Sequence, residues 1–289
     1  MSSIRGVCEV SSASARRLGI EQLSVFSLPP VEFVNLAADL GCSCISAGLT
    51  GLGYNPQGYP AFSLREDVAL RRELIAAMRD RGVAISLGEG CIIRSNSDIR
   101  SAAADMDVMR ELGVERLNTV SMDPDLARTL DQLALFAEMA GERGMLSTIE
   151  LCPVLTINNL DSAMAAVRHV GRPDFNLLLD TMHLGRSGAS AAQLAAIDPS
   201  LIGYVQLCDA PRVPKEPNYL KEATFERMVP GEGEMPLREY LAALPQHVTI
   251  SLEVPLQSQA EAGIGPEVRV RHCVDAARRL LIEASANHA

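Results

Sequence analysis

No segment of the chain reaches roughly 18 uninterrupted apolar residues, so no membrane span is expected. The N-terminal stretch "MSSIRGVCEVSSASARRLG" has arginines and serines but no compact apolar core before a cleavage site. It reads as a lead-in over residues 1–18, not as a signal peptide. Basic charge is in short supply: 26 Lys and Arg stand against 36 Asp and Glu, a net charge of −10. Such a surface repels phosphate backbones, and no nucleic-acid partner is expected. Charged residues of all kinds make up only 21% and apolar residues 47%, which excludes disorder for most of the chain. No G-x-G-x-x-G follows the first apolar strand, and no acid is placed for a ribose. The glycine-bearing stretch "VPGEGEMPL" (229–237) has no phosphate-loop lysine. Without a phosphate cradle, a phosphorylated substrate is not favoured.

Seven cysteines are present, an odd number, scattered and often inside apolar runs. They read as buried thiols of a reducing compartment, consistent with a cytoplasmic location, rather than as a disulfide framework. Cys42 and Cys44 form C-x-C with no second pair at zinc-finger spacing, so metal binding is not expected there.

What the chain does have is alternation. "LSVFSL" (23–28) reads as a strand, followed by a helix opening at Pro30 and stopping at Gly41. "SCISAGL" is a second strand, and residues 50–64 form a long loop rich in Gly, Pro and Tyr. "REDVALRRELIAAMRDRG" predicts an amphipathic helix capped by Ser63 and Gly82. "VAISLGEG", "VERLNTV", "MLSTIEL", "FNLLLD", "LIGYVQLCD" and "VTISLEVP" continue as strands, each followed by a helical segment. Eight strand–helix pairs imply right-handed βαβ units and a parallel sheet. In 289 residues they close most simply into a single-domain (β/α)8 TIM barrel, with a doubly wound open sheet as the alternative.

Barrel enzymes keep their chemistry at the C-terminal strand ends. Strands five to eight carry Glu150, Asp180, Gln206 and Glu253 there, inside otherwise apolar runs. Singly, each acid would be expected to meet a basic residue. Together they argue otherwise, because no lysine or arginine occupies those tips; the nearest, Arg186 and Arg212, lie in the loops beyond. Three carboxylates in one barrel mouth repel each other, and a divalent cation resolves the conflict. Oxygen donors suit Mn²⁺, Mg²⁺ or Co²⁺, and Zn²⁺ less well. Glu89, in "SLGEGCIIR", is a weaker candidate for the same pocket. Asp209 could orient a ligand or cap its loop. The aromatics of "GLGYNPQGYPAF" (51–62) could form a lid or simply pack.

The stretches "IELCP", "LLLDTMHLGRSG", "YVQLCDAPR", "VPGEGEMPL" and "SLEVP" resemble the xylose-isomerase-like superfamily of sugar isomerases and epimerases. The likeness covers strands five to eight, about half the chain; the first half shares only the architecture. It implies that Glu150, Asp180, Gln206 and Glu253 bind one divalent metal. The third ligand is often His in ketose 3-epimerases; Gln206 is similar instead to hydroxypyruvate isomerases and dehydroshikimate dehydratases. The resemblance makes His183 a substrate-binding or proton-transferring group and Arg212 a substrate contact. Glu89 is a candidate substrate contact alongside them. A lone His can otherwise cap or pack, and Arg212 can otherwise be a solvated loop charge.

The chemistry so implied is loss of a C–H proton beside a metal-polarised carbonyl of a small hydroxy-carbonyl compound. Glu150 and Glu253, with His183, would serve as the catalytic groups, two bases giving isomerisation or epimerisation. Loss of a β-hydroxyl from the same enolate would give a lyase, a dehydroshikimate- or inosose-type dehydratase. The superfamily's abasic-site endonuclease needs more histidines at strand ends than the five in this chain supply. A non-catalytic small-molecule binder is the remaining class. Assembly as a homodimer or homotetramer is compatible with the resemblance.

Overall fold

The apolar runs become strands and the amphipathic segments become the layer around them. The structure, a computed structural model, describes residues 18–286. The strands are β1 Leu18–Ile20, β2 Cys44–Ala47, β3 Ala84–Ile93, β4 Arg116–Ser121, β5 Leu146–Glu150, β6 Phe175–Asp180, β7 Ile202–Leu207 and β8 Thr249–Leu252. All pair in parallel and in sequence order, and β1 closes the barrel on β8, with Ile20 opposite Leu252. Covered on both faces, a strand such as "FNLLLD" is buried at every position.

The helices are α1 Gln22–Val25, α2 Pro30–Asp39, α3 Val68–Arg81, α4 Ala103–Glu111, α5 Leu126–Glu142, α6 Leu160–Val170, α7 Thr181–Arg186, α8 Ala191–Ala195, α9 Tyr219–Phe225, α10 Leu237–Ala243, α11 Gln257–Glu261 and α12 Pro266–Ala286. Their apolar stripes face the sheet: α5 buries Leu133, Phe136, Ala137 and Ala140. None of the described helices is long and apolar enough to cross a membrane.

Two local expectations are corrected. The first strand is Leu18–Ile20, and most of "LSVFSL" forms α1 and the turn after it, ending at Phe26 with φ 54. The alternating apolar residues of that stretch are buried as a short helix against the barrel end, not as a ladder. The lead-in of residues 1–17 lies outside the described residues. At α3 the cap is Asp67, which accepts from the Leu70 N–H at 2.9 Å, while Ser63 accepts from Glu66 one turn earlier; Gly82 ends the helix at φ 65, as expected.

Four short helices, α1, α7, α9 and α11, are additional to the eight predicted, and two of them, α7 and α9, shape the site. These two stand over the C-terminal strand ends and bring polar residues back over the mouth. Below them the barrel interior is filled by Leu87, Leu178 and Tyr204. The Tyr204 hydroxyl crosses the barrel, donating to Glu21 at 2.9 Å and sharing a hydrogen bond with Ser86 at 3.0 Å.

Candidate functional site

Each predicted oxygen donor is fixed by a strand end. Asp180 is the last residue of β6 and the N-cap of α7, its Oδ1 accepting from the His183 N–H at 2.9 Å. This turn, a strand running straight into a helix, places His183 directly over the strand end. Gln206 lies opposite Asp180 in the β6–β7 register. Glu253 follows β8, its N–H donating to the Leu207 carbonyl. Gln206 Nε2 donates to Glu253 Oε1 at 3.1 Å. Glu150, at the end of β5, accepts from Asn118 Nδ2 through Oε2 at 2.8 Å. Its Oε1 lies 3.5 Å from His183 Nε2.

Glu150, Asp180 and His183 each offer a donor atom within 4.8 Å of the others. Gln206 and Glu253 form a neighbouring pair. Between the two groups lies a residue that the strand-tip reading missed. Arg227 donates through Nη1 to Asp180 and through Nη2 to Glu253 at 2.7 Å, and its Nε donates to the Ala223 carbonyl. The expectation of no basic partner for these acids is therefore corrected: a loop arginine, fully buried, serves two of them. It escaped notice because it sits in the polar stretch "FERMVPGEG", where an arginine breaks no pattern. Two isolated antiparallel bridges, Asp209 with Met228 and Glu226 with Leu256, fold that stretch back over the mouth.

Arg212, by contrast, is exposed; its N–H donates to Glu234 and its charge acts on Tyr240. Asp209 is buried and accepts from the N–H groups of Ala210, Gly231 and Met235, so it shapes the loop. Glu89 is a half-buried acid whose Oε1 is buried without a hydrogen-bond partner, beside a cavity of about 340 Å³ lined also by Gln22, Thr50 and Arg65. A second cavity of about 480 Å³ opens beside Arg227, between Glu222, Met228 and Leu256. In the 50–64 loop, Tyr54 packs edge-on against Phe26 (4.9 Å) and Phe225 (5.5 Å), so this part of the loop is docked on the barrel rim.

The electrostatics follow from crowding acids away from water. Burial and the Asp180 charge push Glu150 up to about 7. Burial raises Glu253 well above the carboxylate range even though Arg227 opposes it. Burial, with the charges of Glu21 and Glu150, raises Glu89 likewise. Burial also acts on Asp180, but Arg227, His183 and the capped N–H hold that group at about 2. His183 is held down to about 4 by burial and is neutral near pH 7.

The donor chemistry fits a hard divalent cation. Glu21, Glu89, Glu150, Asp180 and Glu253 interact with one another in and below the mouth, and Arg227 is the guanidinium that reaches into them. Gln206 Oε1, beside two of these acids, is buried with no hydrogen-bond partner, an arrangement that costs free energy unless something binds it. Glu150, Asp180, Gln206 and Glu253 are the residues that could hold the ion, with the His183 ring alongside.

Residues 34–272 match the family described as xylose isomerase-like TIM barrel. The chain belongs to that family. A 3-dehydroshikimate dehydratase of Pseudomonas putida is 28% identical over 186 residues, 60% of this chain. That stretch is only 29% of the relative, so this chain spans less than a third of the longer protein. The solved IolI protein with a bound zinc atom superposes with a TM-score of 0.75 at 17% identity, covering 92% of this chain and 98% of that one. D-psicose 3-epimerase from Clostridium cellulolyticum H10, solved with D-tagatose, gives 0.67 at 16%, covering 92% and 99%. At these identities the two structures establish the shared barrel and no more. The proteins this chain resembles thus differ in printed activity: a dehydratase by sequence and an epimerase by fold.

Proposed function

We propose that the protein is a divalent-metal-dependent enzyme that removes a proton from the carbon beside a carbonyl in a sugar or other small hydroxy-carbonyl compound. The first reading is isomerisation or epimerisation through an enediolate. The observation that carries the proposal is the placement of Glu150: buried at the end of β5, with one oxygen held by Asn118 and the other facing His183 and Asp180 in the site. A carboxylate so placed can serve as a general base toward a substrate bound in the mouth. The cation, when bound by Glu150, Asp180, Gln206 and Glu253, supplies Lewis acidity toward the substrate carbonyl. The oxygen donors support Mn²⁺, Mg²⁺ or Co²⁺ ahead of Zn²⁺, the ion in the solved IolI protein.

The rest is done by the chain itself. Arg227 and Gln206 occupy both oxygens of Glu253, so that residue is held in place while Glu150 takes the proton. His183, neutral and buried, stands next to Glu150 and would touch the substrate oxygens. This asymmetry supports chemistry with one mobile base more than a symmetric exchange between two.

A second reading, dehydration, is favoured by the Pseudomonas putida relative. There Glu150 would take the proton next to the carbonyl and return it to the departing β-hydroxyl, releasing water. The deciding experiment follows C–H exchange in D2O by NMR over a panel of ketoses, hydroxypyruvate and dehydroshikimate, after EDTA treatment and with Mn²⁺ restored. Exchange is expected with Mn²⁺ alone and should vanish in Glu150→Gln; the product, isomer or dehydrated, separates the two readings. Full activity in verified metal-free protein would sink the proposal.

A further inference from the structure

The helices α7 and α9 meet at two matched points. His183 and Arg186 are three residues apart on α7; Tyr219 and Glu222 are three apart on α9. Such spacing puts each pair on one helix face. The Tyr219 hydroxyl lies 2.7 Å from His183 Nδ1. One turn further on, Arg186 donates to both Glu222 oxygens, at 3.1 and 3.3 Å, and through Nε to the Pro211 carbonyl at 2.9 Å. The Arg186 guanidinium also stands 5.9 Å over the Tyr219 ring. The ion pair is buried, bidentate and therefore stiff. It fixes where the tyrosine hydroxyl can be.

We infer that Tyr219 is a positioning residue that sets the tautomer of His183, keeping the proton on Nε2 so that the ring faces the site as a hydrogen-bond donor. A neutral imidazole carries one N–H, and the neighbour of each nitrogen decides which. Nε2 faces Glu150 Oε1 at 3.5 Å, an acceptor when ionised. Nδ1 faces the Tyr219 hydroxyl, which can donate; Asp180 Oδ1 is 3.9 Å away and already accepts the His183 backbone N–H. A proton on Nδ1 would leave Nε2 and the carboxylate as two acceptors facing each other. A proton on Nε2 removes that conflict: the Tyr219 O–H donates to Nδ1, and Nε2–H points toward Glu150, 3.5 Å away, and whatever oxygen of the substrate lies there. In that state His183 steadies a developing oxyanion and does not take the first proton.

This rests on the proposed function only in placing substrate next to His183; the tautomer itself is read without turnover. The test is ¹⁵N NMR of the His183 ring at pH 8 in metal-free protein, assigned by the signal lost in His183→Gln. The expected result is a pyridine-like Nδ1 and a pyrrole-like Nε2, giving way to a tautomer mixture in Tyr219→Phe. Where turnover is measured, Tyr219→Phe should lower kcat by about tenfold to a hundredfold with KM little changed. A pyrrole-like Nδ1 in the wild type overturns the inference even if the variant fails to fold, and so do unchanged ring signals in a folded variant. Absence of metal-dependent turnover would count against the proposed function while leaving the ring signals to decide this point.

Discussion

Arg227 ties Asp180 to Glu253, joining the ends of β6 and β8 through one guanidinium. Removing one partner of a buried ion pair is worse than removing both, because a charge stays behind without compensation. Arg227→Met should therefore cost about 3–5 kcal/mol in EDTA, measured as a lower urea midpoint. Arg227→Lys should rescue little, since an ammonium cannot reproduce the fork that reaches two carboxylates at once. A variant as stable as the wild type would show that the guanidinium does not neutralise these acids.

The pH dependence of the metal-free protein has opposing parts. Glu150 rises from an ordinary 4.5 to about 7 on folding. The protonated acid favours the folded state, so its contribution is full below pH 4.5 and is lost as the pH climbs to about 7. His183, lowered from 6.5 to about 4, works in the other direction: its contribution is full above pH 6.5 and is lost as the pH falls to about 4. Comparing wild type with Glu150→Gln isolates the first part. The variant should gain stability relative to wild type between pH 5 and pH 8, by up to about 3 kcal/mol, in chemical denaturation with EDTA present. A pH-independent difference would mean that Glu150 is not raised.

All six described cysteines are buried, and burial pushes their thiols up to about 11 or 12. Thiolate is the reactive form, so a colorimetric disulfide reagent at pH 8 should titrate at most one fast equivalent in the native protein, from Cys8 outside the described residues. In denaturant it should titrate all seven. A second fast equivalent in native protein would place a reactive thiol among the six.

Gly233 is constrained by what it touches. A Cβ there would lie 2.3 Å from Asp209 Oδ1 and 2.7 Å from the Ala210 nitrogen. Asp209 in turn gathers the N–H groups of Ala210, Gly231 and Met235, so Gly233→Ala should loosen the whole turn. The expected cost is about 1–3 kcal/mol, read as a lowered thermal midpoint. Turnover should fall as well, because Arg227 lies only four residues before Gly231 in the same connection.

The barrel was legible because eight apolar runs alternate with helical periods, and because an acid inside an apolar run is conspicuous. Glu150, Asp180 and Glu253 declared themselves that way. The first strand was misplaced because Leu18–Ile20 is too short to carry a pattern, whereas "LSVFSL" has the strand-like look and is buried for another reason. Arg227 and Tyr219 were illegible for a common cause. They act from a loop whose path over the mouth depends on Asp209 and two backbone bridges, and those are long-range contacts that no local spacing records.

Tyr219, Glu222 and Arg227 stand within nine consecutive residues of one connection between β7 and α10. The hydroxyl that faces the imidazole, the carboxylate that clamps Arg186 and the counter-charge of two acids all come from that single segment. Exchanging it would re-tune several determinants of reactivity in one step while every barrel strand stayed as it is.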